Sequence, residues 1–159
     1  MLDKTADLLP ELTGGAGLTL AASRPAAFEA LAASYEALLG PASSPHLSAK
    51  EKRLVATAVA HWHAEPLAAA FYTAEAEAAG AGIEEISAAR EGRAEDPRLQ
   101  ALLAHAHMLT FAPIEGSPEK LATLRAAGVS EDGLIALSQL TAFLSHQLRA
   151  AFTLRLLGA

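Results

Sequence analysis

Hydrophobic residues recur every three or four positions along most of this chain, and this period is typical of amphipathic helices. Glycine, proline and serine interrupt the pattern at intervals and mark the predicted helix ends. The pattern predicts an all-α fold, a bundle of about six to eight helices. The predicted helices start near Ser23, Ser48, Pro66, Ile83, Asp96, Ser117 and Ser130.

Two of these starts carry capping signals. Ser48 and Glu51 have the spacing of a capping box, in which each side chain accepts a hydrogen bond from the other residue's backbone N–H. Ser23 is expected to cap the first helix, with Pro25 in its first turn. The last helix could run to Leu157, which gives a length of about 40 Å at about 1.5 Å per residue.

The apolar stripes predict which helix faces lie inward. Several helices are apolar over more than half their circumference, above all at 56–60, 67–74 and 134–144. A monomer of this size exposes too much surface to hide them all, so we expect a homo-oligomer (dimer, trimer or hexamer) formed through apolar helix faces. The helix that begins at Pro66 is expected to run through Leu67, Ala70, Phe71, Ala74 and Ala78 to Gly80.

The first 22 residues are expected to form an irregular arm that packs on the rest of the chain. They contain the glycine-rich segment Thr13–Gly17. No predicted strand precedes these glycines, and the third glycine of a dinucleotide fingerprint is missing. A phosphate-binding loop is therefore not expected here.

Composition narrows the fold and the function further. The 159 residues include 39 Ala and 26 Leu but only 3 Val and 4 Ile, which favours helices over a β-sheet core. The net charge of −6 argues against a nucleic-acid partner, because such a surface needs clustered Lys and Arg. No apolar segment has the length of a membrane span, and the N-terminus lacks a secretory signal, so we expect a cytoplasmic protein.

The chain contains no cysteine. Thiol peroxidase chemistry on this chain, disulfides, iron–sulfur clusters and thiolate zinc sites are therefore excluded. No cofactor is expected.

The densest group of ionisable side chains is His61-x-His63-x-Glu65. Imidazole and carboxylate groups can serve in acid–base chemistry or bind metals. Residues two apart on a helix point to nearly opposite sides, so only His61 and Glu65 could share a face, and no metal site is expected. The simpler interpretation places one histidine at a helix C-terminus and Glu65 at the next N-terminus.

A second histidine pair, His105 and His107, lies inside a predicted helix. The same geometry sends the two rings to different faces. We expect one ring to line the core or an oligomer contact and the other to be solvated.

Four segments of the chain resemble the carboxymuconolactone decarboxylase and alkyl hydroperoxidase D (AhpD-like) family. They are 47–80 (LSAKEKRLVATAVAHWHAEPLAAAFYTAEAEAAG), 82–86, 96–110 (DPRLQALLAHAHMLT) and 124–149. The resemblance implies a helical core at 47–159, with an N-terminal arm and helix at 1–46 packing on it. Residues 7–46 are similar to the extension of the family's peroxidase-related branch. Members of the family are all-α and usually form trimers or multiples of trimers.

The resemblance also places this chain's counterparts of the family's catalytic residues. The two cysteines of the peroxidase members correspond to Glu65 and Ala68, and the histidine often found between them corresponds to Leu67. The later histidine falls at Tyr72 and the catalytic glutamate at Arg53. With all of these replaced, the resemblance implies the fold without the peroxidase activity.

Three hypotheses for the function follow. The first is a structural or small-ligand-binding protein with a degenerate site at Arg53 and Tyr72, in which a Glu65–Arg53 salt bridge is one expected arrangement. The second is a cofactor-free decarboxylase or isomerase in which His61 or His63 moves a proton beside Arg53. The third is a metal-dependent hydrolase or lyase.

Arg149, which matches a basic position in the family's last helix, is expected to pair with an acid or a helix end.

Overall fold

A computed structural model describes residues 10–16 and 22–158, and throughout these ranges the regular structure is helical. The all-α prediction is confirmed. From residue 22 onward there are seven α-helices and one 3₁₀ turn. They are α1 (Pro25–Leu39), α2 (Ala49–Trp62), α3 (Pro66–Ala78), α4 (Ile83–Arg90), α5 (Pro97–Phe111), the 3₁₀ turn Pro113–Glu115, α6 (Pro118–Ala126) and α7 (Glu131–Leu157).

The predicted helix starts are confirmed in most cases. Ser48 and Glu51 make the capping box, and Ser130 accepts a hydrogen bond from the backbone N–H of Gly133. The prediction for α1 is wrong by one residue, because Arg24 and not Ser23 occupies the N-cap position, and the Arg24 side chain makes no capping hydrogen bond. Proline at the first helical position lessens the need for a cap, since it removes one of the N–H groups that a cap would satisfy.

Helix α2 lies at the centre of the bundle. It packs against α3, α4, α5 and α7, and residues 54–60 are all buried. The apolar surface at 56–60 is thus covered by the chain's own helices and needs no partner subunit. This removes one of the reasons for expecting an oligomer, which stays a prediction.

The large apolar side chains of α3 do not mark its most buried face. Its buried residues are Ala68, Tyr72 and Ala76, spaced four apart, whereas Leu67 is 37% exposed. An alanine-rich helix has a weak apolar stripe, so its sequence does not determine which face turns inward. The observed face directs the Tyr72 hydroxyl into the core.

The N-terminal segment is described only at 10–16. There, residues 10–13 are helical and Leu12 is fully buried, so the irregular arm expected for this stretch is wrong at that point. The remainder of the expected arm, at 1–9 and 17–21, lies outside the described residues. The division at residue 46 stays a prediction, although α1 packs directly on α7 and α2.

Large apolar side chains remain exposed at several places among the described residues. They are Leu67, Ile83, Phe111, Ile114, Ile135, Phe152, Leu156 and Leu157. Within the same part of the chain, no helix combines the length and apolarity that crossing a bilayer requires.

Candidate functional site

The short turn between α2 and α3 positions the predicted histidine and glutamate side chains. His61 is exposed in the last turn of α2, and His63 is the residue that ends this helix. Glu65 is the N-cap of α3 and is buried, with 5% of its surface exposed. His61, His63 and Glu65 thus have three different environments within this turn.

Replacing Ala64 with glycine should stabilise the protein. Ala64 has a φ of 55°, in the left-handed region that a residue with a Cβ disfavours. We expect Ala64→Gly to raise the free energy of unfolding by about 0.5–1 kcal/mol in urea denaturation. Ala70→Gly on the exposed side of α3 is the control and should lose about 1 kcal/mol of stability, because glycine is a poor helix former. A loss in both variants would contradict this assignment.

Glu65 forms a buried ion pair with the end of the last helix. Its Oε2 accepts a hydrogen bond from Arg155 Nη2 at 2.7 Å, and the two residues are 90 positions apart. Burial raises the pKa of Glu65, and the nearby Arg155 charge opposes this shift. The position that the sequence resemblance aligns with a cysteine is thus occupied by an acid held by an arginine.

Arg53 is held in a separate cluster. Its Nε donates to Glu75 Oε2 at 3.2 Å, and its Nη2 donates to the carbonyl of Leu39 at 2.8 Å. The Tyr35 hydroxyl donates to the same Glu75 oxygen at 3.3 Å, and burial raises the pKa of Tyr35 to about 12. The expected Glu65–Arg53 salt bridge is therefore wrong, since each residue has a different ionic partner.

Tyr72 is fully buried and bonded to a side chain of α7. Its hydroxyl donates to Gln147 Oε1 at 2.5 Å, and burial raises its pKa. The amide nitrogen of Gln147 is also buried and has no hydrogen-bond partner in the described part of the chain. The hydrogen bond of Tyr72 thus joins α3 to α7 in the interior, where the side chain is fully enclosed.

His63 faces α7 and is placed beside a different cation from the one predicted. Its Nε2 lies 3.4 Å from Ser145 Oγ. Burial lowers the pKa of His63, and the positive charge of Arg149 lowers it further. The arginine next to the candidate base is therefore Arg149, since Arg53 is engaged by Glu75.

Ser145 and Arg149 line an open groove between α1, the end of α5 and α7. This Arg149 groove has a volume of about 810 Å³. Its walls include Phe28, Leu109 and Leu154 together with hydroxyl-bearing residues of α7. Among the described residues, none forms an ion pair or hydrogen bond with the Arg149 guanidinium, so the expected pairing with an acid or a helix end is not found there and stays a prediction.

The partners Arg155, Gln147 and Ser145 were not predicted from the sequence. All three lie on α7, between 75 and 90 residues from the side chains that they contact. Of these three residues, only Gln147 could have been recognised from the sequence, because it interrupts the apolar stripe of α7 next to Leu144 and Leu148. A polar residue at an inward position of a helix indicates a buried partner.

The described residues contain no group of three His, Asp or Glu side chains placed to hold one metal ion. His61 is exposed at the end of α2, whereas Glu65 is engaged by Arg155. The metal-dependent hypothesis stays a prediction without a supporting contact among these residues.

This arrangement of helices is the AhpD-like helical fold. A peroxidase-related protein from Ralstonia eutropha JMP134, described as an alkylhydroperoxidase AhpD core, superposes with a TM-score of 0.65 at 20% identity; the match covers 96% of this chain and 84% of that chain. A peroxidase-related protein from Silicibacter sp. TM1040 gives a TM-score of 0.63 at 20% identity, covering 82% of this chain and 69% of that chain. Both are described as uncharacterized. No family model and no curated protein matches the chain.

Proposed function

We propose that this protein binds a small organic carboxylate in the Arg149 groove and has no thiol peroxidase activity of its own. A peroxide is attacked by a thiolate in thiol peroxidases, and this chain has no cysteine. At the corresponding position, Glu65 is bound by Arg155, so the structure offers no substitute nucleophile there. The AhpD-like fold is retained while its thiol chemistry is lost.

The binding proposal rests on Arg149, which lines the groove and has no ionic partner among the described residues. Five other arginines form ion pairs with carboxylates of this chain: Arg53, Arg93, Arg98, Arg125 and Arg155. Arg149 forms none with the described residues, and it lies at a groove large enough for a small molecule. A guanidinium binds a carboxylate through two parallel hydrogen bonds, which gives this groove a preference for organic acids.

The apolar walls of the groove favour a ligand whose atoms beyond the carboxylate are apolar. Phe28, Leu109 and Leu154 offer an apolar surface close to Arg149. A ligand with a carboxylate at one end and an apolar body at the other would use both features. This combination makes benzoate a suitable probe.

Replacing Arg149 should weaken the binding of benzoate. We expect Arg149→Gln to bind benzoate about tenfold more weakly than the native protein, because a charge-assisted hydrogen bond contributes roughly 1.5–3 kcal/mol. Isothermal titration calorimetry or NMR titration measures the effect. The uncharged analogue benzamide should show no such difference between the two proteins.

Arg125→Gln is the matched control, since Arg125 is an exposed arginine paired with Glu131 outside the groove. It should bind benzoate as the native protein does. Equal binding to native and Arg149→Gln protein, or no binding to the native protein, would overturn the carboxylate proposal. If the purified protein consumed an organic hydroperoxide without a thiol-bearing partner, the proposal that it has no peroxidase activity of its own would be overturned.

A second candidate function is favoured by the position of His63. Its lowered pKa keeps the imidazole neutral, as a general base must be, and Arg149 could hold a substrate carboxylate nearby. This is the decarboxylase or isomerase hypothesis with Arg149 in place of Arg53. It requires turnover of an organic acid that is lost in His63→Ala and kept in His61→Ala.

A further inference from the structure

His105 is a largely buried imidazole without a hydrogen-bond partner among the described residues. It lies on α5 with 9% of its surface exposed. Buried polar groups in folded proteins nearly always have a partner. Neither ring nitrogen of His105 is fully enclosed by the described residues, so both keep some contact with solvent. The ring therefore retains access to the cleft that it lines between α5 and α6.

This His105 cleft has the size and surface of a small-molecule site. Its volume of about 450 Å³ falls within the usual range for ligand pockets, roughly 300–1,000 Å³. Met108, Phe111 and Leu124 contribute apolar walls, and the small side chains of Ala101 and Ala104 leave space between the helices. A thioether and an aromatic ring both favour contact with a planar apolar molecule.

The charges around the cleft are balanced. Lys120 is paired with Glu115 at 3.1 Å, so neither is left to bind a charged ligand. His107 also lines the cleft, but its ring packs edge-on against Trp62 at 4.9 Å. Burial lowers the pKa of His105, and the charge of Lys120 lowers it further. At neutral pH the imidazole thus offers one donor and one acceptor.

We propose that the His105 cleft binds a small planar apolar molecule with one hydroxyl group, a phenol, through a hydrogen bond to His105. A hydroxyl group both donates and accepts, so it matches either tautomer of the neutral imidazole. This ligand is uncharged and its cleft is formed by α5 and α6. The inference is therefore independent of carboxylate binding in the Arg149 groove.

The test compares phenol with toluene, which has a similar shape and no hydroxyl group. Met108 is one of only two methionines, so its methyl signal is readily assigned in an NMR titration. Phenol should shift the Met108 methyl and the His105 ring signals and bind about threefold to tenfold more tightly than toluene, as one hydrogen bond predicts. His105→Leu should abolish this preference. His61→Leu, which changes an exposed histidine on α2, should keep it.

Ala104→Phe is a second variant that leaves His105 in place and fills the cleft from an exposed position. It should block both phenol and toluene. The proposal is overturned if phenol and toluene bind the native protein equally, if neither shifts Met108, or if His105→Leu still prefers phenol. Benzoate binding should be unchanged in His105→Leu, so failure here is distinct from failure of the proposed function.

Discussion

Arg155→Met should be the most destabilising of the single substitutions considered, lowering the free energy of unfolding by about 3 kcal/mol. The methionine preserves most of the apolar stem of the side chain but leaves the Glu65 carboxylate buried without its cation. Removal of one partner from a buried ion pair leaves the other charge uncompensated. Urea denaturation at neutral pH measures the loss.

This loss should depend on pH in a defined direction. The pKa of Glu65 in the folded protein is already raised above its ordinary value of 4.5, and removal of Arg155 raises it further. Between the unfolded and folded pKa values the folded state binds more protons, so the variant becomes less stable as pH rises through this window. Below 4.5 the carboxyl is neutral in both states, and the deficit of Arg155→Met should largely disappear.

Two controls separate this effect from general loss of charge. Arg125→Met breaks an exposed pair with Glu131 and should change stability little. Glu65→Gln leaves Arg155, which is 24% exposed, able to reach water, so it should cost less than Arg155→Met. A deficit in Arg155→Met that did not change with pH would contradict the account of Glu65 as a buried charge.

Tyr72→Phe should lower stability by about 1–3 kcal/mol, although it removes only one oxygen atom. The hydroxyl group donates to Gln147 Oε1, and the Gln147 amide nitrogen already lacks a hydrogen-bond partner among the described residues. Without Tyr72 the entire amide is buried and unsatisfied. Thermal and urea denaturation measure the change.

The double variant Tyr72→Phe/Gln147→Met tests the cause. It replaces both polar partners by apolar groups of similar size, so most of the stability should return. Thr141→Val is the control, because the buried Thr141 hydroxyl bonds only to the Leu137 carbonyl of its own helix. A double variant as unstable as the sum of its single changes would show that the Tyr72–Gln147 bond is not what Tyr72→Phe disrupts.

The local signals of the sequence were sufficient to predict most of the helices. Ser48 with Glu51 and the serine before α7 marked helix starts, because a cap depends only on residues within one turn. The alanine and leucine content determined the all-α class. The sequence resemblance indicated the AhpD-like fold, which the superposition on solved structures confirmed.

The partner of each candidate side chain was decided by the tertiary structure. The sequence placed Glu65 with Arg53 and His63 with the same arginine, whereas packing of α7 supplies Arg155 to Glu65 and Arg149 to His63. These residues are too far apart along the chain for any local rule to pair them.

The sequence encodes the ends of a helix more strongly than it encodes which face of the helix is buried. Capping groups and proline act within a few residues, so the sequence by itself determined where most of its helices begin. Alanine-rich helices such as α3 bury almost equally well on several faces, and tertiary contacts selected the face that carries Tyr72: packing against α2 and the hydrogen bond to Gln147 of α7. The physical reason is that hydrogen bonds within a helix are local, whereas burial and ion pairing depend on whichever neighbours the fold brings together.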